Sequence, residues 1–183
     1  MKKELITRHF PNVGVVEGQL PKDTVDGLWK LIEESRKKPE NMKHELAGNI
    51  SSSIRLEHKS PLLEDFVKNV IPKYIQQSID SFGPPHRLTL NQGQGFNIES
   101  LWANIQKKHE FNPPHDHSGV YSFVIWMQIP TSYEEQKKLP ICAESNAHSN
   151  ISNFCFHYTT SLGRISQFMY NICLLYTSDA ADE

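Results

Sequence analysis

The chain has 183 residues, 38% of them hydrophobic and 22% charged, with a formal net charge of −2. That length and balance suit one ordinary globular domain with a core of its own. The near-neutral charge excludes a general electrostatic attraction to nucleic acid or to an anionic membrane.

Three cysteines, Cys142, Cys155 and Cys173, show no C-x-x-C spacing, and the start, Met1-Lys2-Lys3-Glu4-Leu5-Ile6, has no apolar signal segment. Both features predict a reducing, cytoplasmic setting. No apolar run approaches the length of a membrane span. Oligomeric state leaves no mark in the sequence.

In chain order, residues 4–20 hold Leu5-Ile6, Phe10 and Val13-Gly14-Val15-Val16, which predicts two short strands about a turn. A helix follows Pro21. Val25, Leu28, Trp29 and Ile32 recur at helical spacing, with Asp23 near its start and Arg36-Lys37 near its end, as the helix dipole favours. Residues 41–59 read as a polar connection. Ser60 and Pro61 then supply an N-cap and a first helical position, and Leu63, Phe66, Val67, Val70 and Ile71 continue an apolar face that Pro72 should kink or split.

Beyond Gly83-Pro84-Pro85 the periodicity changes to that of strands. Arg87-Leu88-Thr89-Leu90 is strand-like. Between 96 and 107, Leu101, Ala103 and Ile105 share one face, while Trp102, Asn104 and Gln106 share the other. A further strand is expected over 120–129, a charged loop over 131–140, and two strands at 154–158 and 165–172. Helices first and antiparallel strands afterwards define an α+β class, with one domain over 1–172.

The candidate chemistry lies in Phe111-Asn112-Pro113-Pro114-His115-Asp116-His117. In an extended segment His115 and His117 fall on one face and can converge on a metal ion, while Asp116 points away. Two solvated histidines in a turn remain the plain alternative. The polar face of Trp102, Asn104 and Gln106 is a candidate pocket lining, joined by Ser122 and Trp126 on the next strand; an ordinary core role for both tryptophans stays open.

The order Trp102-x-Asn104, Pro113-Pro114-His115-x-His117, Ser122-Phe123-Val124-Ile125-Trp126 and Ile129-Pro130 resembles a branch of the iron(II)/2-oxoglutarate-dependent dioxygenases. That branch comprises short oxygenases of marine bacteriophages and uncultured bacteria. Leu46-Ala47-Gly48-Asn49-Ile50 and Phe156-x-Tyr158 resemble the same group. The resemblance implies a double-stranded β-helix, or jelly roll, with N-terminal helices on its larger sheet. It implies Fe(II), O₂ and 2-oxoglutarate as a small-molecule cosubstrate, with hydroxylation of an undetermined substrate.

His115 would be the first metal ligand. His117 stands where the family has a carboxylate, and Asp116 is a weaker second choice. The distal histidine and the basic residue that pairs with 2-oxoglutarate are implied beyond Ile172. There the chain carries residues 173–183, which resemble the in-frame translation of a sequencing adapter. As it stands, this chain is therefore expected to be an inactive fragment, with no catalytic acid or base assigned. His148 and His157 are alternative third ligands. Competing expectations are a cupin-like metal-binding jelly roll and a non-enzymatic, phage-associated β-sandwich binding module.

Overall fold

The structure is a computed structural model that describes residues 14–82, 95–143, 153–160 and 162–175. The chain divides into two compact units, 1–122 and 123–183. Each unit mixes helices with a small antiparallel sheet, so the α+β class holds.

In the first unit, α1 (Lys22–Lys37) and α2 (Pro61–Phe82) are the two long helices. Leu28 and Ile32 of α1 are buried, as the apolar spacing predicts. The helices approach closely at Gly27, where a Cβ would sit 2.8 Å from Leu62 Cδ2. Ser60 precedes α2 and its carbonyl accepts the amide of Leu63 at 3.0 Å, which fits a capping position. Leu63 and Val67 bury the inner face of α2. Pro72 does not split this helix. Its ring is exposed, so the carbonyl it leaves without a helical donor can be hydrated.

The polar connection expected over 41–59 is corrected by the structure. It contains a 3-10 turn at Lys43–Glu45 and strand β1 (Ser52–Arg55), which pairs antiparallel with β2 (Trp102–Ile105). The other side of β1 is also paired, through Met42 N–H to Ser53 O at 3.0 Å and Arg55 N–H to Glu40 O at 2.9 Å. A serine-rich strand escapes sequence reading because its burial shows only in context. Ser53 is 3% exposed, and its hydroxyl donates to Asn104 Oδ1 at 2.7 Å, so the buried oxygen is satisfied. Met42, Ile50, Ile54 and Leu56 complete the core of this unit. Arg55 holds two acids at the rim: its Nε lies 2.8 Å from Glu40 Oε1 and its Nη2 3.0 Å from Glu45 Oε1.

Several further expectations are revised. Residues 14–20 form no strand, and 1–13 lie outside the described residues, as do 87–90. The strand expected over 96–107 is confined to β2. The strand expected over 120–129 is absent from the structure; that stretch has no regular element. A strand exists only through its ladder, and an apolar run supplies no partner by itself. Val120 is accordingly 57% exposed.

In the second unit the expected charged loop forms α3 (Tyr133–Lys137) and the single turn α4 (Pro140–Ala143). The cause is a capping box. Glu135 N–H donates to Ser132 Oγ at 3.3 Å, and Ser132 N–H donates to Glu135 Oε2 at 2.9 Å. Ser132-Tyr133-Glu134-Glu135 carried that signature in plain view. Ser132→Ala should lower stability by about 0.5–2 kcal/mol, measured by urea denaturation of the chain.

The two last strands stand as expected: β3 (Asn153–Thr159) pairs antiparallel with β4 (Ile165–Asn171). Gly163, at φ +77°, supplies the left-handed residue of their turn. Phe154 opposite Tyr170 and Phe156 opposite Phe168 put aromatic rings on one face, where Trp126 meets Phe154 edge-on at 5.4 Å. One helical turn, α5 (Ile172–Leu175), ends the described chain; Cys173 within it is 2% exposed, with its Sγ 3.7 Å from Thr131 Oγ1.

Candidate metal centre

Strand β2 ends at Ile105, and the chain turns tightly before it reaches the histidines. Gln106 donates its side-chain amide to the carbonyl of Glu110, and Glu110 N–H donates to Lys107 O at 3.1 Å. His109 closes this turn at φ +70°, a left-handed conformation uncommon for a residue with a side chain. Asn49 N–H donates to Phe111 O at 2.8 Å, which fixes the chain just before Asn112-Pro113-Pro114.

The segment 112–119 is irregular rather than a strand end, yet it brings the histidines together. The rings of His115 and His117 lie 4.7 Å apart, centroid to centroid, at 61°. His115 Nδ1 is 2.7 Å from the carbonyl oxygen of Pro113. A carbonyl only accepts, so Nδ1 carries a proton, and in the neutral ring Nε2 is the nitrogen left with a lone pair. This is the arrangement in which a backbone carbonyl fixes the tautomer of a metal-binding histidine.

His117 stacks on Trp102 of β2, with ring centroids 5.9 Å apart and planes 21° apart. Partial burial, and then the neighbouring His115, push its pKa below the ordinary histidine value; Asp116 opposes them. The lowered pKa favours the neutral imidazole, the form that binds metal. Asp116 itself is exposed.

The remaining candidates divide. Trp102 supports His117, whereas Asn104 is engaged with Ser53 and Gln106 with Glu110. Ser122 is exposed at the end of the first unit. Trp126 belongs to the second unit, within the aromatic cluster of Phe154 and Tyr170. His157 lies on β3 opposite Gln167, in the second unit, and His148 falls outside the described residues. Among the described residues no group of three or more His, Cys, Asp or Glu is placed to hold a metal ion. The centre is thus a pair of imidazoles without a third donor from those residues.

Two features of the site were not anticipated from the sequence. One is the Pro113 carbonyl, invisible because backbone atoms carry no residue identity. The other is Glu110, whose Oε1 accepts Ser51 N–H at 3.1 Å and whose Oε2 accepts Lys107 N–H at 2.8 Å. The bond from Lys107, then that from Ser51, holds the Glu110 pKa below the usual carboxylate value. A carboxyl whose pKa is lower in the folded than in the unfolded chain stabilises the fold fully above its unfolded pKa. That contribution disappears as pH falls through the folded value. The gap in melting temperature between the native chain and Glu110→Gln should therefore narrow from about pH 6 to about pH 3, measured by thermal denaturation.

Comparison with family models, with curated proteins and with solved structures finds no match to this chain.

Proposed function

We propose that the chain belongs to a non-haem iron(II) oxygenase that uses 2-oxoglutarate and O₂, with His115 and His117 as metal ligands. The observation that carries this is the convergence of the two rings, with the tautomer of His115 set by the Pro113 carbonyl. The donor set fits a first-row divalent metal, since neutral imidazole suits iron as well as zinc, copper and nickel. Two imidazoles neutralise none of the metal's charge, so a carboxylate-bearing chelator such as a 2-oxo acid is a natural further ligand. The iron and its cosubstrate would supply the oxidising power, coupling hydroxylation of a C–H bond to decarboxylation of 2-oxoglutarate into succinate and CO₂.

The chain's own contribution is narrower. His115 and His117 bind and orient, and Trp102 covers one face of His117 against water. The fold we propose for the chain is a jelly roll. The substrate to be hydroxylated and the third protein ligand are not assigned.

The test is anaerobic titration of the chain with Fe(II) and 2-oxoglutarate. The expected result is the visible charge-transfer absorption of a chelated 2-oxo acid. Absence of that absorption would overturn the assignment. Zinc or nickel binding that ignores 2-oxoglutarate would favour the cupin-like alternative.

A further inference from the structure

We propose that Glu110 is a positioning residue for the His115–His117 pair, bracing the turn that leads into the histidines against the segment that leads into β1; this rests on the metal-site assignment above. Glu110 is the acidic residue that immediately precedes the histidine segment, and both of its oxygens are already engaged. Oε1 accepts from Ser51 N–H at 3.1 Å and Oε2 from Lys107 N–H at 2.8 Å. A carboxylate occupied in this way holds backbone rather than metal.

Three neighbouring contacts act in the same sense. Asn49 N–H reaches Phe111 O at 2.8 Å, and Gln106 donates to the Glu110 carbonyl. Gly48 faces Asn112 so closely that a Cβ there would overlap the asparagine carboxamide. The segment 48–51 is thereby fastened to 110–112 by a carboxylate and a backbone bridge, with Gly48 lying close against the Asn112 side chain. The left-handed His109 lies inside the same turn, where the surrounding bonds hold a conformation that would otherwise relax.

The step from Phe111 to His115 is short and stiff. Only Asn112, Pro113 and Pro114 intervene. Each proline ring fixes its own φ, and each proline restricts the residue before it. Because so few torsions are free, the position of Phe111 is passed on to the His115 ring. Metal ligands tolerate displacements of only about 0.5 Å, so a loosened turn should be read at the histidines.

The experiment uses the full chain, ¹⁵N-labelled, as native protein, as Glu110→Gln, and as Leu63→Ala, a control that loosens the core elsewhere. Glu110→Gln keeps the side-chain volume but turns an amide group toward a backbone N–H. Amide exchange at Ser51 or Lys107, whichever loses its acceptor, should quicken by about 10-fold or more, and the imidazole nitrogen shifts of His115 and His117 should move without any metal. Co(II) affinity should fall by about 10-fold to 100-fold, while Leu63→Ala, kept below its melting point, retains native imidazole shifts and Co(II) affinity.

Native shifts and native Co(II) affinity in Glu110→Gln would overturn the positioning role and leave the metal site standing. An equal loss in Leu63→Ala would also overturn it, since any loosening would then suffice. No Co(II) uptake by the native chain would overturn the metal site and this role together.

Discussion

His115→Ala should lower Fe(II) affinity by more than about 100-fold, because loss of residues that merely orient a metal ligand already costs 10–100-fold. The same loss is expected for His117→Ala. The two rings are 4.7 Å apart and, on the proposed assignment, share one ion, so the double variant should be little worse than either single one. Both histidines are exposed, so neither substitution should unfold the chain. Isothermal titration with Fe(II) under argon, beside circular dichroism, separates the two effects.

Asp116→Asn is the informative companion. Asp116 is exposed and acts on His117 through its charge, raising a pKa that burial and His115 lower. Removing that charge should leave metal binding within a few-fold of native, because it favours the neutral imidazole while weakening local attraction for a cation. If Asp116→Asn abolished binding and His117→Ala did not, the carboxylate would replace His117 as second ligand.

Leu63→Ala should destabilise the chain by about 2–5 kcal/mol, the largest stability effect expected of a single substitution here. Leu63 is 1% exposed and lies in the first turn of α2, where the helix enters the core of the first unit. The alanine leaves a cavity as well as removing apolar contact. Against a total stability of about 5–15 kcal/mol for a typical domain, the loss should be plain in urea denaturation. A shift below about 1 kcal/mol would mean that the neighbouring side chains collapse into the space.

The sequence by itself determined the elements whose signals are local. The spacing of Leu28 and Ile32 marks α1, Ser60-Pro61 marks the start of α2, and the residues about Gly163 mark the β3–β4 hairpin. Each depends on contacts within a few residues, so periodicity and turn chemistry suffice. The alternation in β2 was legible for the same reason, since side chains on a strand must face opposite ways. The capping box at Ser132 was equally local and equally legible, though the charge of the segment masked it.

Tertiary structure decided the rest. Ser53 is buried with its hydroxyl donating to Asn104, 51 residues away. The apolar run over 120–129 needed a ladder partner that hydrophobicity cannot name. At the candidate metal centre, the sequence placed two histidines one residue apart, and tertiary contacts decided what surrounds them. Trp102 against His117 and Glu110 between Ser51 and Lys107 join segments that no short-range pattern connects. The hydrogen bond from His115 to Pro113 is closer in sequence, but it depends on backbone torsions that the residue names leave free. Residue identity supplied the two imidazoles; hydrogen bonds and ring contacts, several of them between distant segments, supplied their setting.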